Sequence, residues 1–94
     1  MGTEQKWGLP IEVETRNRIR LAVAAYAYEF CAESIMTDHD FDLLSRTIDP
    51  FMETGRPELD EFFRTKFHAD TGQWIHDHPE LDKVALTYER WYKK

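Results

Sequence analysis

Ninety-four residues, 41% hydrophobic and 14% aromatic, are enough for one packed core and too few for two domains. A formal net charge of -6 disfavours a general binder of phosphate backbones, which needs clustered Lys and Arg to displace counterions, so no direct contact with nucleic acid is expected. The single Cys31 has no partner for an internal disulfide and reads, between Phe30 and Ala32, as a small buried hydrophobe in a reducing compartment. No window approaches the length of a membrane span, and the expectation is a cytoplasmic protein without membrane contact.

Residues 1–10 hold Gly2, Gly8 and Pro10 without periodicity and read as an N-terminal arm that docks through Trp7, with residues 11–94 as a helical domain. From Ile11 to Ala32, Ile19, Val23, Tyr26 and Phe30 recur at helical spacing, and Leu21, Ala22, Ala25 and Cys31 widen that face. Arg16, Arg18 and Arg20 crowd the first half of this helix while Glu29 and Glu33 lie near its end. That order opposes the helix dipole, so either packing or partners elsewhere in the chain must compensate.

Thr37, three residues before Asp40, is a capping box with Asp in place of the usual Glu, and Phe41, Leu44 and Ile48 then share a face of a short second helix. Asp49-Pro50 ends it, because a residue before proline is pushed out of helical geometry. A third helix restarts at "RPELDEFF", with Pro57 suited to its first turn, acids at 58, 60 and 61 matched to its positive end, and Leu59, Phe62, Phe63 and Phe67 as its buried side. A Thr71-Gly72 turn and the apolar pair Trp74-Ile75 follow, packing onto the helices. Leu81, Val84, Ala85, Tyr88, Trp91 and Tyr92 then mark an amphipathic last helix that closes on two lysines. The expected fold is all-α, a compact single domain of about four helices, two long and two short, with the first and last covering the others.

The segment "SIMTDHDFDLLSR" sets Asp38, Asp40 and Asp42 in or near one helical turn. Acids there stabilise a helix by about 0.3 to 1 kcal/mol each and need no ligand. The order of an aromatic-bearing helix, a break and "TDHDFDLL" also resembles the N-terminal helical segment of bacterial NAD-dependent DNA ligases, over roughly residues 14–48. In that family the segment grips the nicotinamide mononucleotide half of NAD during enzyme adenylation. The resemblance implies ligand-binding roles for Tyr28, Asp38, Phe41 and Asp42, with Glu29 standing where the family has histidine and Phe41 where it has tyrosine. The ligase Lys-x-Asp-Gly motif is absent, so the resemblance extends to the small stand-alone ligase-related proteins of phage and prophage type and to capture of NAD-derived nucleotides without ligation.

His68, Asp70, His76 and His78 lie close in sequence, but their spacing fits no defensible zinc pattern, and His78 before Pro79 reads as an exposed or capping residue. No nucleophile, base and orienter can be assembled, so the expectation is a non-enzyme without metal or cofactor. Thirteen aromatic residues exceed what so small a core requires. The leading expectation is therefore a binding protein whose Trp74, Tyr88 and Trp91 engage a protein partner or a second copy. A third reading uses the acidic surface, which could occupy the basic nucleic-acid channel of a defence complex and inhibit it.

Overall fold

Proline at the first helical position gives up no hydrogen bond, and Pro10 opens the first helix in that way. The computed structural model describes residues 8–93, with α1 over Pro10–Cys31. The proposed arm lies mostly outside the described residues, as do Trp7 and Lys94. At the helix start the Glu12 carboxylate accepts the Leu9 N–H at 3.2 Å, satisfying one of the unpaired donors there. At about 1.5 Å per residue α1 rises roughly 33 Å, close to the 39 Å longest extent of the molecule. It is the axis on which the rest is assembled.

α1 stops at Ala32, which takes the left-handed conformation at φ 53° and donates its N–H, together with that of Glu33, to the Ala27 carbonyl. α2 follows over Asp38–Thr47, and Thr37 caps it by accepting the Asp40 N–H at 3.0 Å. α3 covers Pro57–Thr65 and a 3-10 turn covers Gln73–Asp77. α4 runs Leu81–Trp91. These are four α-helices with no strand among the described residues, and α1 touches α2, the 3-10 turn and α4. α1 is much the longest, α4 the next.

The core gathers Leu21, Val23, Phe63, Ile75 and the alanines of α1 around Trp74 and Tyr88. Leu21 to Ala25 are buried without interruption, so this part of α1 has neighbours all round. Alanine permits that, since a short side chain lets adjacent elements approach closely. Gly72 shows how closely: a Cβ there would stand 3.4 Å from both Ala25 Cβ and Phe41 Cζ.

Three expectations are corrected by this packing. The α1 face that turns inward is centred on Glu14, Arg18, Leu21, Ala22 and Ala25, which leaves Ile19 and Phe30 at 47% and 44% exposure. Cys31 is exposed as the last residue of α1, beside the side chains of Tyr26 and Tyr88. Trp74 and Tyr88 are each 3% exposed and belong to the core, so only Trp91, at 73%, is surface among the aromatics assigned to a partner. The short turn places Trp74 against Phe62, Phe63 and Phe67, and Trp74 Nε1 donates to the Thr71 carbonyl at 2.6 Å. Tyr88 packs on Tyr26 and donates its hydroxyl to Glu33. That hydrogen bond, followed by burial, raises the Tyr88 hydroxyl above its ordinary pKa.

Candidate ligand cleft between the first, third and fourth helices

Arginine is the most tolerable cation to bury because its planar fork can satisfy several acceptors at once. Arg18 does so from the inward face of α1. Its Nε donates to Glu14 at 2.8 Å and its Nη1 to Asp60 at 2.9 Å, while Nη2 reaches the carbonyls of Asp49 and Met52. Glu14 also accepts the Asp49 N–H at 3.0 Å. Asp60 receives the Thr54 N–H and hydroxyl at 2.9 and 2.7 Å. Burial alone would raise the Asp60 carboxyl, but the bonds from Thr54 and then Arg18 outweigh it and hold the group below the ordinary carboxylate range. The Arg18 guanidinium carbon also stands 4.8 Å from the Phe63 ring centre. The loop between α2 and α3 is thereby tied to α1 by charge.

Above this network opens a cleft of about 260 Å³ between α1, α3 and α4. Its walls are apolar, from Ile19, Ala22, Leu59, Phe63 and Val84. Threonines 15, 54 and 87 and the charged Arg56, Glu80 and Lys83 complete the lining. At the rim, Arg56 Nη2 meets both Glu80 oxygens at 2.8 Å, and Lys83 Nζ lies 3.8 Å from Glu80.

His78 forms the cleft's inner side at the junction of the 3-10 turn and α4. Its Nδ1 accepts the Glu80 N–H at 3.0 Å, and its ring lies 5.2 Å from Phe62 and 6.3 Å from Phe63, centre to centre. Burial pushes this imidazole down to about 4, against the opposing pull of Glu80. It is neutral at pH 7, and since Nδ1 accepts, the ring proton sits on Nε2.

The other sequence-predicted residues fall elsewhere. Tyr28 is 62% exposed on α1. Phe41 packs against the core cluster, and Asp42 pairs with Arg46 one turn on, at 3.1 Å. No hydrogen bond or ring contact joins Tyr28 to Asp38, Phe41 or Asp42 among the described residues, and none of the four lines the cleft. The histidine segment is dispersed: His76 bonds Glu29 at 3.0 Å, Asp70 lies 3.8 Å from Arg46, and His78 turns inward. Among the described residues no group of three or more His, Cys, Asp or Glu is arranged to hold a metal ion. No helix there is long and apolar enough to cross a membrane.

Sequence reasoning missed the cleft because its residues come from three separated stretches, 15–22, 54–63 and 78–87. One local signal was available, the Glu14 and Arg18 pair four residues apart on a helix. Comparisons with protein-family models, curated proteins and solved structures found no match.

Proposed function

We propose that this chain is a small non-catalytic binding protein that docks a protein partner at the cleft between α1, α3 and α4. The observation that carries this reading is the cleft's combination of apolar walls and charged rim, opening beside exposed Ile19. Trp91 follows Thr87 by one helical turn and Val84 by two, so it continues the α4 face that lines the cleft. Tryptophan at the edge of a desolvated hollow is a common energetic anchor of protein interfaces. The volume of about 260 Å³ falls below the ~300–1,000 Å³ of sites that enclose whole small ligands, and suits one or two side chains from a larger partner.

The hydrogen bonding supports binding over catalysis. Thr15 and Thr87 donate their hydroxyls to main-chain carbonyls and Thr54 donates to Asp60, so none is activated by His78. His78 in turn uses Nδ1 to hold the α4 backbone.

A photo-crosslinking residue tests the site. Placed at Arg90, two turns beyond Lys83 on α4, it should give a discrete adduct in cells that Trp91→Ala and Val84→Phe both suppress. The same group at exposed Leu43 on α2 should not give that adduct. An adduct indifferent to both cleft variants, or formed equally from Leu43, would sink the reading; a mass of twice the chain would make the partner a second copy.

A further inference from the structure

Arg56 stands at the N-cap of α3 and Glu80 at the N-cap of α4. Among the described residues, the hydrogen bonds and ion pairs that join α3 and its cap to α4 are those of Arg56 Nη2 with the two Glu80 oxygens, both at 2.8 Å. One carboxylate therefore fastens the first turns of two helices together. The backbone of the same residue starts α4, its carbonyl accepting the N–H groups of Lys83 and Val84 at 3.0 and 3.1 Å, and its own N–H is held by His78 Nδ1. The charged groups facing the half-buried His78 ring come from every element around it: Arg18 on α1, Arg56 and Asp60 from the loop and α3, Glu80 and Lys83 on α4. Asp77, beside it in the 3-10 turn, is exposed. Asp60 is occupied by Arg18 and Thr54. Glu58 shares a neighbouring hollow with Arg56 and Glu80 and does not line the cleft. Glu80 is thus the one lining carboxylate among the described residues that is open to His78.

We propose that His78 and Glu80 form a proton-operated clasp: neutral His78 leaves Glu80 on Arg56 and α3 closed against α4, whereas protonated His78 draws Glu80 away, releases Arg56 and opens the cleft. Protonation puts a second donor where Nδ1 now accepts, so the Glu80 N–H and an Nδ1–H would face each other and the contact must break. The new cation competes with Arg56 for Glu80, and Arg56, once released, has Glu58 two residues along the chain. The closed state holds the imidazole down to about 4, against its ordinary 6.5 once the cleft opens to water. The open state therefore takes the proton first, and the ratio of open to closed rises as the pH falls between those values, by on the order of 100-fold. The clasp gives the docking site proposed above a regulation, release of the partner on acidification, and rests on that reading for this consequence alone.

NMR spectra of the full chain, titrated from about pH 7.5 to 4.5, test the clasp while the protein stays folded. The backbone amides of Arg56, Leu59, Glu80 and Lys83 should shift together and follow the His78 imidazole resonance. His78→Asn, which keeps an acceptor near the position of Nδ1 and takes no proton, should hold these amides still over the same range. Glu80→Gln removes the carboxylate and keeps the backbone bonds that start α4, so it serves even if His78→Asn folds poorly. Its Arg56 and Leu59 amides should stand at pH 7.5 where those of the wild type stand at pH 4.5. A transition retained in His78→Asn would make another group the trigger and overturn the proposal. Wild-type amides of Arg56 and Leu59 that stay fixed down to pH 4.5 would overturn it as well, as would their indifference to Glu80→Gln. All three readings are taken on the unbound chain, so their failure leaves the docking role to the crosslinking experiment.

Discussion

The two halves of α1 are buried by opposite means. In the first, Glu14 and Arg18 are 4% and 5% exposed and are held by ionic and hydrogen-bond partners from the α2–α3 loop and α3. In the second, Leu21 to Ala25 and Ala27 are buried by neutral contact alone, with Ile75, Trp74 and Tyr88 closing round them. Depth of burial is the same, but the consequences of disturbance are not. A missing methylene leaves a cavity in the second half; a missing partner in the first leaves an uncompensated charge, which is worse.

Arg18→Met separates the two cases most sharply. It strands Glu14 and Asp60 and should cost about 3–5 kcal/mol at pH 7, read as a lower urea midpoint. The Asp60 carboxyl is depressed in the folded protein, so its stabilising contribution is present above the ordinary carboxylate pKa and is lost as pH falls through the folded value. Without Arg18 part of that contribution goes, Thr54 still donating to the carboxylate, and the gap between variant and wild type should narrow as the pH falls below the ordinary carboxylate value. Ile75→Ala, which empties fully buried space in the other half, should cost about 2–5 kcal/mol with a gap that stays constant over the same range. If both variants respond alike to pH, the ionic account of the first half is wrong.

His78 sharpens the contrast from the cleft side. Its folded pKa of about 4 lies below the unfolded 6.5. Above about pH 6.5 the group is neutral in both states and contributes no pH dependence. Below that the unfolded chain takes the proton first, so stability falls until the pH reaches the folded value, by on the order of 2–3 kcal/mol in all. Protonation would also remove the acceptor that holds the Glu80 N–H at the start of α4. His78→Asn offers an oxygen near the position of Nδ1, and urea titrations from pH 7.5 to 4.5 should show a flatter slope in the variant. An unchanged slope would place the titration elsewhere.

How much of this was readable follows from the range of each interaction. Thr37 as a cap, Pro57 at a helix start, Phe62 and Phe63 as a buried face and the Trp74-Ile75 pair packing inward are local patterns, and each is present in the structure. The compensation demanded by the arginines of α1 was also legible as a need. Its provider was not, because Asp60 lies 42 residues from Arg18 and nothing local distinguishes it from the neighbouring acids at 58 and 61. His78 was readable as a helix-start residue, and it does bond the α4 backbone. Its inward position came instead from Phe62 and Phe63 on a separate helix. The cleft was illegible for the same reason, since Thr15, Arg56 and Lys83 become neighbours only when three helices meet.

The smallest effects are expected between α1 and α2, where backbone conformation and capping set the energetics. Ala32 holds φ 53° where glycine meets no Cβ penalty, so Ala32→Gly should stabilise the protein by about 0.5–1 kcal/mol. Thr37→Ala removes the acceptor for the Asp40 N–H and should cost about 1 kcal/mol. Asp42→Ala should leave the unfolding midpoint within error, because its pairing with Arg46 is a surface contact between half-exposed side chains. That neutrality makes Asp42→Ala a clean probe of the ligase-like segment. With the fold undisturbed, a melting-point shift caused by nicotinamide mononucleotide in the wild type but absent in Asp42→Ala would report a ligand contact and would move function from the cleft to α2. Tyr28 is exposed and makes no hydrogen bond or ring contact with the α2 residues, so the expected result is the same melting point with and without the nucleotide in both proteins.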